Sequence, residues 1–357
     1  MPRLPLSTTL TTSYGDSSTK STNSIIKYND DNENAKKFDA FNVKQITDNI
    51  FCIEENSSNF DAKSLIYLII GEEKACLIDT GFGSGDLNEY IQSLKIVKDK
   101  MKIIVINTHN HCEEVGSNWR FSTTGKLGLS HNCEDLCASN YNKNYTKIPV
   151  DSKYQWNVKL YKVTRWLNDK EIILLGSDKK SKNVIEVWHA PGHTPDSLIL
   201  WYSHDERFFV GDLFHTYNDI LLTYEYSSIK NYTESLRKFV NFIKDYKRPE
   251  RLKYSSSKID IDEKCVPVVK NYQHFLFGVI TGHQKSQYIR LNEDCHEGVK
   301  FVTRDKTISL ILSSKIYRQL KDARTKRDNY TSSVALSIIS TDNISNTSRR
   351  DKKSQKR

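Results

Sequence analysis

The chain has 357 residues, 37% of them hydrophobic and 27% charged, a mix that suits a soluble globular core with polar additions arranged as one large domain or two medium ones. No window approaches the roughly 18 consecutive apolar residues of a membrane span, and residues 1–24 lack the apolar run of a secretory signal. Net charge is +9, which favours anionic partners; much of the excess sits in residues 315–357, where twelve Lys and Arg face four Asp.

Residues 1–36 are rich in Ser, Thr, Asn and Asp and are expected to be disordered. Order begins near Phe38. Short strands are expected at 43–46 and 50–53, a continuous apolar strand at 64–70, and a return strand at 75–78 that ends in Asp79-Thr80-Gly81. Residues 85–97 read as a helix with Leu87, Tyr90, Ile91 and Leu94 on one face. A buried strand at 102–107 runs directly into Thr108-His109-Asn110-His111-Cys112-Glu113-Glu114-Val115-Gly116. A short strand at 127–130, a helix at 134–139 and strands at 171–175 and 184–188 follow. Residues 189–197 form a loop punctuated by Pro and Gly. A hairpin at 198–202 and 207–210 delivers Gly211-Asp212. Helices are expected at 234–246, with Thr233 as N-cap, and at 262–279. Residues 37–285 are read as the main domain, 286–320 as an extension and 321–357 as a basic, disordered tail. Strand runs followed by helices, repeated twice, point to a layered α/β sandwich.

Histidine placement carries the chemistry. His109 and His111 leave one buried strand, His193 sits in a Gly/Pro loop after another, and Asp212 ends a third. Three imidazoles and a carboxylate at strand ends suit zinc, which takes nitrogen and oxygen donors and keeps a position open for water. A single loop histidine is more often solvated or hydrogen-bonded; the ordered combination is what raises the metal reading.

In order along the chain, Leu77-Ile78-Asp79-Thr80-Gly81, the run 108–116, Ala190-Pro191-Gly192-His193-Thr194-Pro195-Asp196-Ser197 and Phe209-Val210-Gly211-Asp212 resemble the landmark motifs of the metallo-β-lactamase superfamily. Asn118-Trp119-Arg120-Phe121 and residues 220–243 are similar to its group of acyl-coenzyme A thioesterases. The resemblance covers residues 45–280. It implies a four-layer αββα sandwich, a metal-assisted hydrolase acting through metal-activated hydroxide on an ester, thioester or amide carbonyl, and a small-molecule substrate such as acyl-coenzyme A. It makes His109, His111 and His193 the ligands of a first metal centre and Asp212 a bridging ligand. Asp79 becomes a residue that holds the histidine loop by hydrogen bonds.

The second centre departs from the pattern. Glu113 stands where the family has Asp, Glu114 where it has His, and no His occurs in the stretch 252–256 where the last ligand is due. His283 has the right look but lies too far along. One Zn²⁺ at the histidine triad is therefore expected, with Glu113 and Glu114 as weak ligands and Glu113 as the carboxylate that orients water. The competing reading is a catalytically inactive binding or structural protein that keeps the sandwich. Cys112 is read as a spacer, His131 and His189 as structural, and the pair His215 and Tyr217 as pocket-lining. Seven scattered cysteines without a secretion signal point to reduced thiols and a cytoplasmic location. No nucleic-acid motif accompanies the basic tail, which leaves nuclear import or peripheral contact with anionic lipid as alternatives to plain solvation.

Overall fold

Period-two alternation of apolar side chains builds the first half of the molecule. Strands β1 (Phe41–Gln45), β2 (Ile50–Ser57), β3 (Ala62–Ile70) and β4 (Lys74–Ile78) pair antiparallel in sequence. Helix α1 (Leu87–Ser93), capped by the Asp86 carboxylate on the Glu89 amide, crosses over to β5 (Lys102–Ile106), which lies parallel to β4. Helix α2 (Cys112–Val115), a ribbon of β6 (Ser122–Thr123) and β7 (Gly128–Leu129), β8 (Cys133–Ser139) and β9 (Arg165–Leu167) follow, giving a seven-stranded sheet in the order β1-β2-β3-β4-β5-β8-β9. This computed structural model describes residues 38–57, 62–123, 128–141, 158–291 and 297–325; the expected disordered segment 1–36 and the tail beyond 325 lie outside them.

The second half repeats the scheme. Strands β10 (Ile172–Leu174), β11 (Val184–His189), β12 (Leu198–Tyr202) and β13 (Arg207–Phe209) are antiparallel neighbours, and β14 (Asp219–Leu222) and helix α3 (Ile229–Asp245) follow. Strand β15 (Lys253–Ser255) returns parallel to β13, and β16 (Glu263–Lys264) completes a six-stranded sheet before helix α4 (Cys265–Thr281). Strands β17 (Ser286–Arg290), β18 (Glu297–Val302) and β19 (Ser309–Ser313) form a four-stranded sheet with β14, closed by helix α5 (Ser314–Thr325).

Three cores define four layers. Leu65, Tyr67 and Ile69 of β3 face Val187, Leu198, Leu200 and Phe209 of the second sheet. The alternate residues Ile66 and Leu68 turn the other way, onto Leu87, Tyr90 and Ile91 of α1. On the far side, Trp188, Ile199, Trp201 and Phe208 pack under Leu236, Phe239 and Val240 of α3 and Leu276 and Val279 of α4. The αββα sandwich follows directly from this two-sided burial. Val299, Phe301, Leu310, Leu312, Ile316 and Leu320 join that outer core, so residues 297–325 pack with the second sheet's helices.

Three expected elements differ. Residues 134–139 form a strand, β8, between two parallel neighbours, because a short buried run interrupted by Glu134 and Asp135 carries no alternation to distinguish it from a short helix. Helix α3 starts four residues before Thr233, capped by Ser228; the Thr233 hydroxyl instead donates to the Ile229 carbonyl within the helix (2.7 Å). Helix α4 starts at Cys265, since Asp262 pairs with buried Arg207 and residues 263–264 are a strand. Six cysteines are free thiols; Cys295 lies outside the described residues.

Candidate metal centre

The loops that follow β4, β5, β11, β13 and β15 meet at one edge of the sandwich. His111 is the extended N-cap residue of α2 (φ −88°, ψ 153°), so the chain leaves β5 extended and then turns sharply, aiming both imidazoles inward. His193 comes from the loop after β11. Gly192 holds φ +143° there, and a Cβ on it would lie 2.2 Å from the Tyr232 Cα; only glycine permits this approach to α3. Gly116, whose absent Cβ would lie 2.3 Å from the Phe82 carbonyl carbon, lets the end of α2 settle on the loop after β4.

The three imidazoles converge. His109 Nε2 lies 3.1 Å from His111 Nδ1, and His193 Nε2 lies 3.2 Å from the same atom. Zinc–nitrogen distances of about 2.0–2.1 Å in a tetrahedral shell put neighbouring donors about 3.3–3.4 Å apart, close to what is seen. The rings stand edge to face with centroids 4.6–4.8 Å apart. Burial and the neighbouring imidazoles push His109 and His111 well below the usual histidine range, and burial lowers His193 as well. They are therefore neutral, with lone pairs available.

Two of the rings have fixed tautomers. His193 Nδ1 donates to the Leu221 carbonyl at 2.7 Å, which leaves Nε2 unprotonated. His109 Nδ1 lies 3.1 Å from Thr108 Oγ1, and that hydroxyl lies 2.8 Å from Asp79 Oδ2. A carboxylate only accepts and a hydroxyl has one proton. Thr108 therefore donates to Asp79 and accepts from His109 Nδ1–H, which turns a bare Nε2 to the centre. Asp79 also accepts from the Thr108 amide at 2.7 Å and from the Ser257 hydroxyl at 3.3 Å. Such outer partners are what orient metal-binding histidines. Burial pushes Asp79 up to about 7, against its Thr108 hydrogen bonds.

Carboxylates complete the shell. Asp212 Oδ2 is 3.6 Å from His193 Nε2 and 4.0 Å from His109 Nε2. Glu114 is buried with Oε2 3.3 Å from His109 Nε2, and its carbonyl is gripped by the Thr80 amide (2.8 Å) and the Asn107 side chain (3.1 Å). Among the described residues, His109, His111 and His193 form one donor cluster, and His109, Glu114 and Asp212 form another. Glu114 Oε2 and Asp212 Oδ1 are buried without a hydrogen-bond donor. A buried acceptor such as Glu114 Oε2 beside an inward lone pair fits a cation. Glu113 lies on the other side, its side chain on the Lys258 ammonium.

Sequence reasoning missed Lys258. The loop after β15 puts no histidine at 252–256, as expected, and brings this lysine instead. Its Nζ contacts Glu113 Oε1 and lies 3.2 Å from Glu114 Oε1 and 3.7 Å from Asp212 Oδ2. Burial alone would lower the lysine, but Asp212, Glu113 and Glu114 hold it well above its ordinary value. Burial alone would likewise raise Asp212; Lys258 and the imidazoles hold it well below the usual carboxylate range. Glu55 was missed too: its buried carboxylate accepts from the Phe82 and Ser84 amides, both at 2.6 Å, and braces the glycine loop after β4.

The remaining candidates separate. His215 is buried next to Asp212 and, chiefly by burial, lowered to about 4. Its expected companion Tyr217 is 70% exposed. His189 stacks on Tyr141 at 3.8 Å, and its Nε2 lies 2.9 Å from the Pro195 carbonyl, so it props the His193 loop. His131 is exposed. His283 is exposed as well and bonds to Thr281 (2.7 Å). The Cys112 thiol is raised, by burial first and then by Glu113 and Glu114, which makes it a poor nucleophile.

Acyl-coenzyme A thioesterase MBLAC2 from Bos taurus and the protein of the same name from Homo sapiens are each 24% identical over 220 residues, covering 56% of this chain and 75% of the relative. Among solved structures, a metallo-beta-lactamase from Pontibacter korlensis aligns with a TM-score of 0.49 at 15% identity, over 66% of this chain and 98% of that one. The TMB-1 structure aligns with a TM-score of 0.49 at 17% identity, over 66% and 97%. The model of the metallo-beta-lactamase superfamily matches residues 61–245, just over half of the chain, and the chain belongs to that superfamily.

Proposed function

We propose that the chain is a hydrolase of thioester or ester bonds that uses one Zn²⁺ held by His109, His111 and His193, with acyl-coenzyme A as the substrate class. The observation that carries the reading is the convergence of three neutral imidazoles on one point beside the buried carboxyls of Glu114 and Asp212. Neutral nitrogen donors with a carboxylate suit zinc. A divalent ion at that point supplies Lewis acidity and lowers the pKa of water from 15.7 to about 7.

The protein's own part is orientation and proton handling. The Asp79–Thr108 relay and the Leu221 carbonyl hold two imidazoles in the ligating tautomer. The carboxyl nearest the triad is Glu114, which burial holds well above the usual carboxylate range against the opposing charge of Lys258, so in this proposal Glu114, rather than Glu113, shuttles the proton between the attacking water and the leaving thiol. The thioesterase names of the two curated relatives support an acyl-coenzyme A substrate. No helix among the described residues is long and apolar enough to cross a membrane.

Metal analysis of the purified protein and a panel of acyl-coenzyme A thioesters, followed by thiol release, test the assignment. One zinc per chain and turnover are expected, both lost in His109→Ala, with turnover alone reduced in Glu114→Gln. Absence of bound metal after zinc loading would sink the proposal. Bound zinc with no turnover on any thioester would favour the inactive binding protein, a reading with one observation behind it, the engagement of Glu113 by Lys258.

A further inference from the structure

We infer that the Lys258 ammonium is a resident cation at the position of a second metal ion, and that it limits the centre to a single divalent ion at the histidine triad. The inference rests on the metal-binding reading above and adds to it a residue of this chain that sets the metal count.

The carboxylates divide their oxygens between two positive positions. Glu114 turns Oε2 to His109 and Oε1 to Lys258. Asp212 Oδ2 lies between His193 Nε2 at 3.6 Å and Lys258 Nζ at 3.7 Å. Glu113 faces the ammonium. Two carboxylates thus bridge the triad and the lysine, as bridging ligands span the two ions of a dinuclear site, which are about 3.5–4 Å apart. A lysine taken up as an ordinary ion pair would hold one carboxylate at the surface. This one gathers three, from α2 and from the turn after β13, with a side chain 11% exposed.

The loop is built to deliver it. The Arg207 guanidinium, fully buried, donates to Ser255 Oγ at 2.9 Å and the Ile261 carbonyl at 3.1 Å. Tyr67 donates to the Ser256 carbonyl (2.7 Å), and the Ser257 carbonyl accepts from the Leu65 amide (2.9 Å). Both neighbours of Lys258 on the N-terminal side are therefore anchored to the opposite sheet. Charge points the same way. With all three carboxylates ionised, one ammonium and one divalent ion bring the sum to neutrality, whereas a second divalent ion beside the lysine would leave an excess of at least two positive charges in a buried site, which is costly. Unlike a metal ion, the ammonium donates hydrogen bonds only and offers no open coordination position.

The test is cobalt and zinc stoichiometry of the full chain, by equilibrium dialysis with elemental analysis and by the d–d absorption of Co²⁺. Wild type and Lys258→Arg are expected to bind one ion. Lys258→Ala and Lys258→His, which free the three carboxylates, are expected to bind two, the second lost again in Glu113→Gln/Lys258→His. Thermal melts of each variant verify folding, and Lys258→His serves if the alanine variant does not fold. Two ions in wild type, or one ion in both folded Lys258→Ala and Lys258→His, overturns the inference while leaving the triad reading intact. No ion in wild type overturns the triad reading itself.

Discussion

Replacing Asp79 by Asn removes the fixed acceptor at the end of the Asp79–Thr108–His109 relay while keeping its volume. The wild-type carboxylate accepts from the Thr108 amide at 2.7 Å and the hydroxyl at 2.8 Å. An amide has one accepting oxygen. If it keeps the amide hydrogen bond, its NH₂ faces Thr108 Oγ1, and the hydroxyl must donate the other way, to His109 Nδ1. The His109 proton then moves to Nε2, the atom that faces the centre. Loss of such an outer partner costs about 10–100-fold in metal affinity, or about 1.4–2.7 kcal/mol. Asp79 and Thr108 are both 1% exposed, so water cannot substitute for the lost acceptor. The assay is competition for zinc against a chromophoric chelator at pH 8, with urea unfolding of the metal-free proteins as a control on the fold. Thr108→Val, which removes the relay without reversing it, is expected to fall between wild type and Asp79→Asn. Wild-type zinc affinity in a stably folded Asp79→Asn would refute the tautomer argument.

The pH dependence of metal-free stability follows from the same carboxyl. Its folded value is raised to about 7, above the unfolded value of about 3.9, so its contribution is full below the lower value and is lost as pH rises through the upper one. That loss is on the order of 4 kcal/mol, and urea midpoints between pH 4 and 8 are expected to decline more steeply for wild type than for Asp79→Asn. Gly192→Ala combines a backbone strain of about 1–3 kcal/mol with overpacking of similar size; unfolding experiments should show a loss of about 2–6 kcal/mol, and zinc affinity should fall with it because His193 is displaced.

The architecture was legible because burial leaves a period. Residues 64–70 and 102–107 read as buried strands from their apolar runs alone, and the histidines read as ligands because each follows such a strand. Legibility failed at β8, whose buried run is short and interrupted by Glu134 and Asp135, and where an element depends on a distant partner. Nothing near β14 signals that its neighbour is β19, about ninety residues later in the chain. Lys258 was missed for a chemical reason. A search for ligands looks for electron-pair donors, and the residue that fills the position is a cation. Glu113 and Glu114 were visible together, but only the turn of α2 decides which of them points at the triad.

The pairing of β14 with β19 sets the order in which the centre can be assembled. The carbonyl that holds His193 belongs to Leu221, and Leu221 lies opposite Ile311 in the parallel pair. A nascent chain that has emerged only as far as α4 already carries all three histidines, yet the strand that fixes one of them still has an open edge. Such long-range closure is slow. Closure of the strand that orients His193 therefore awaits residues 309–313, far along the chain from the last of the three histidines.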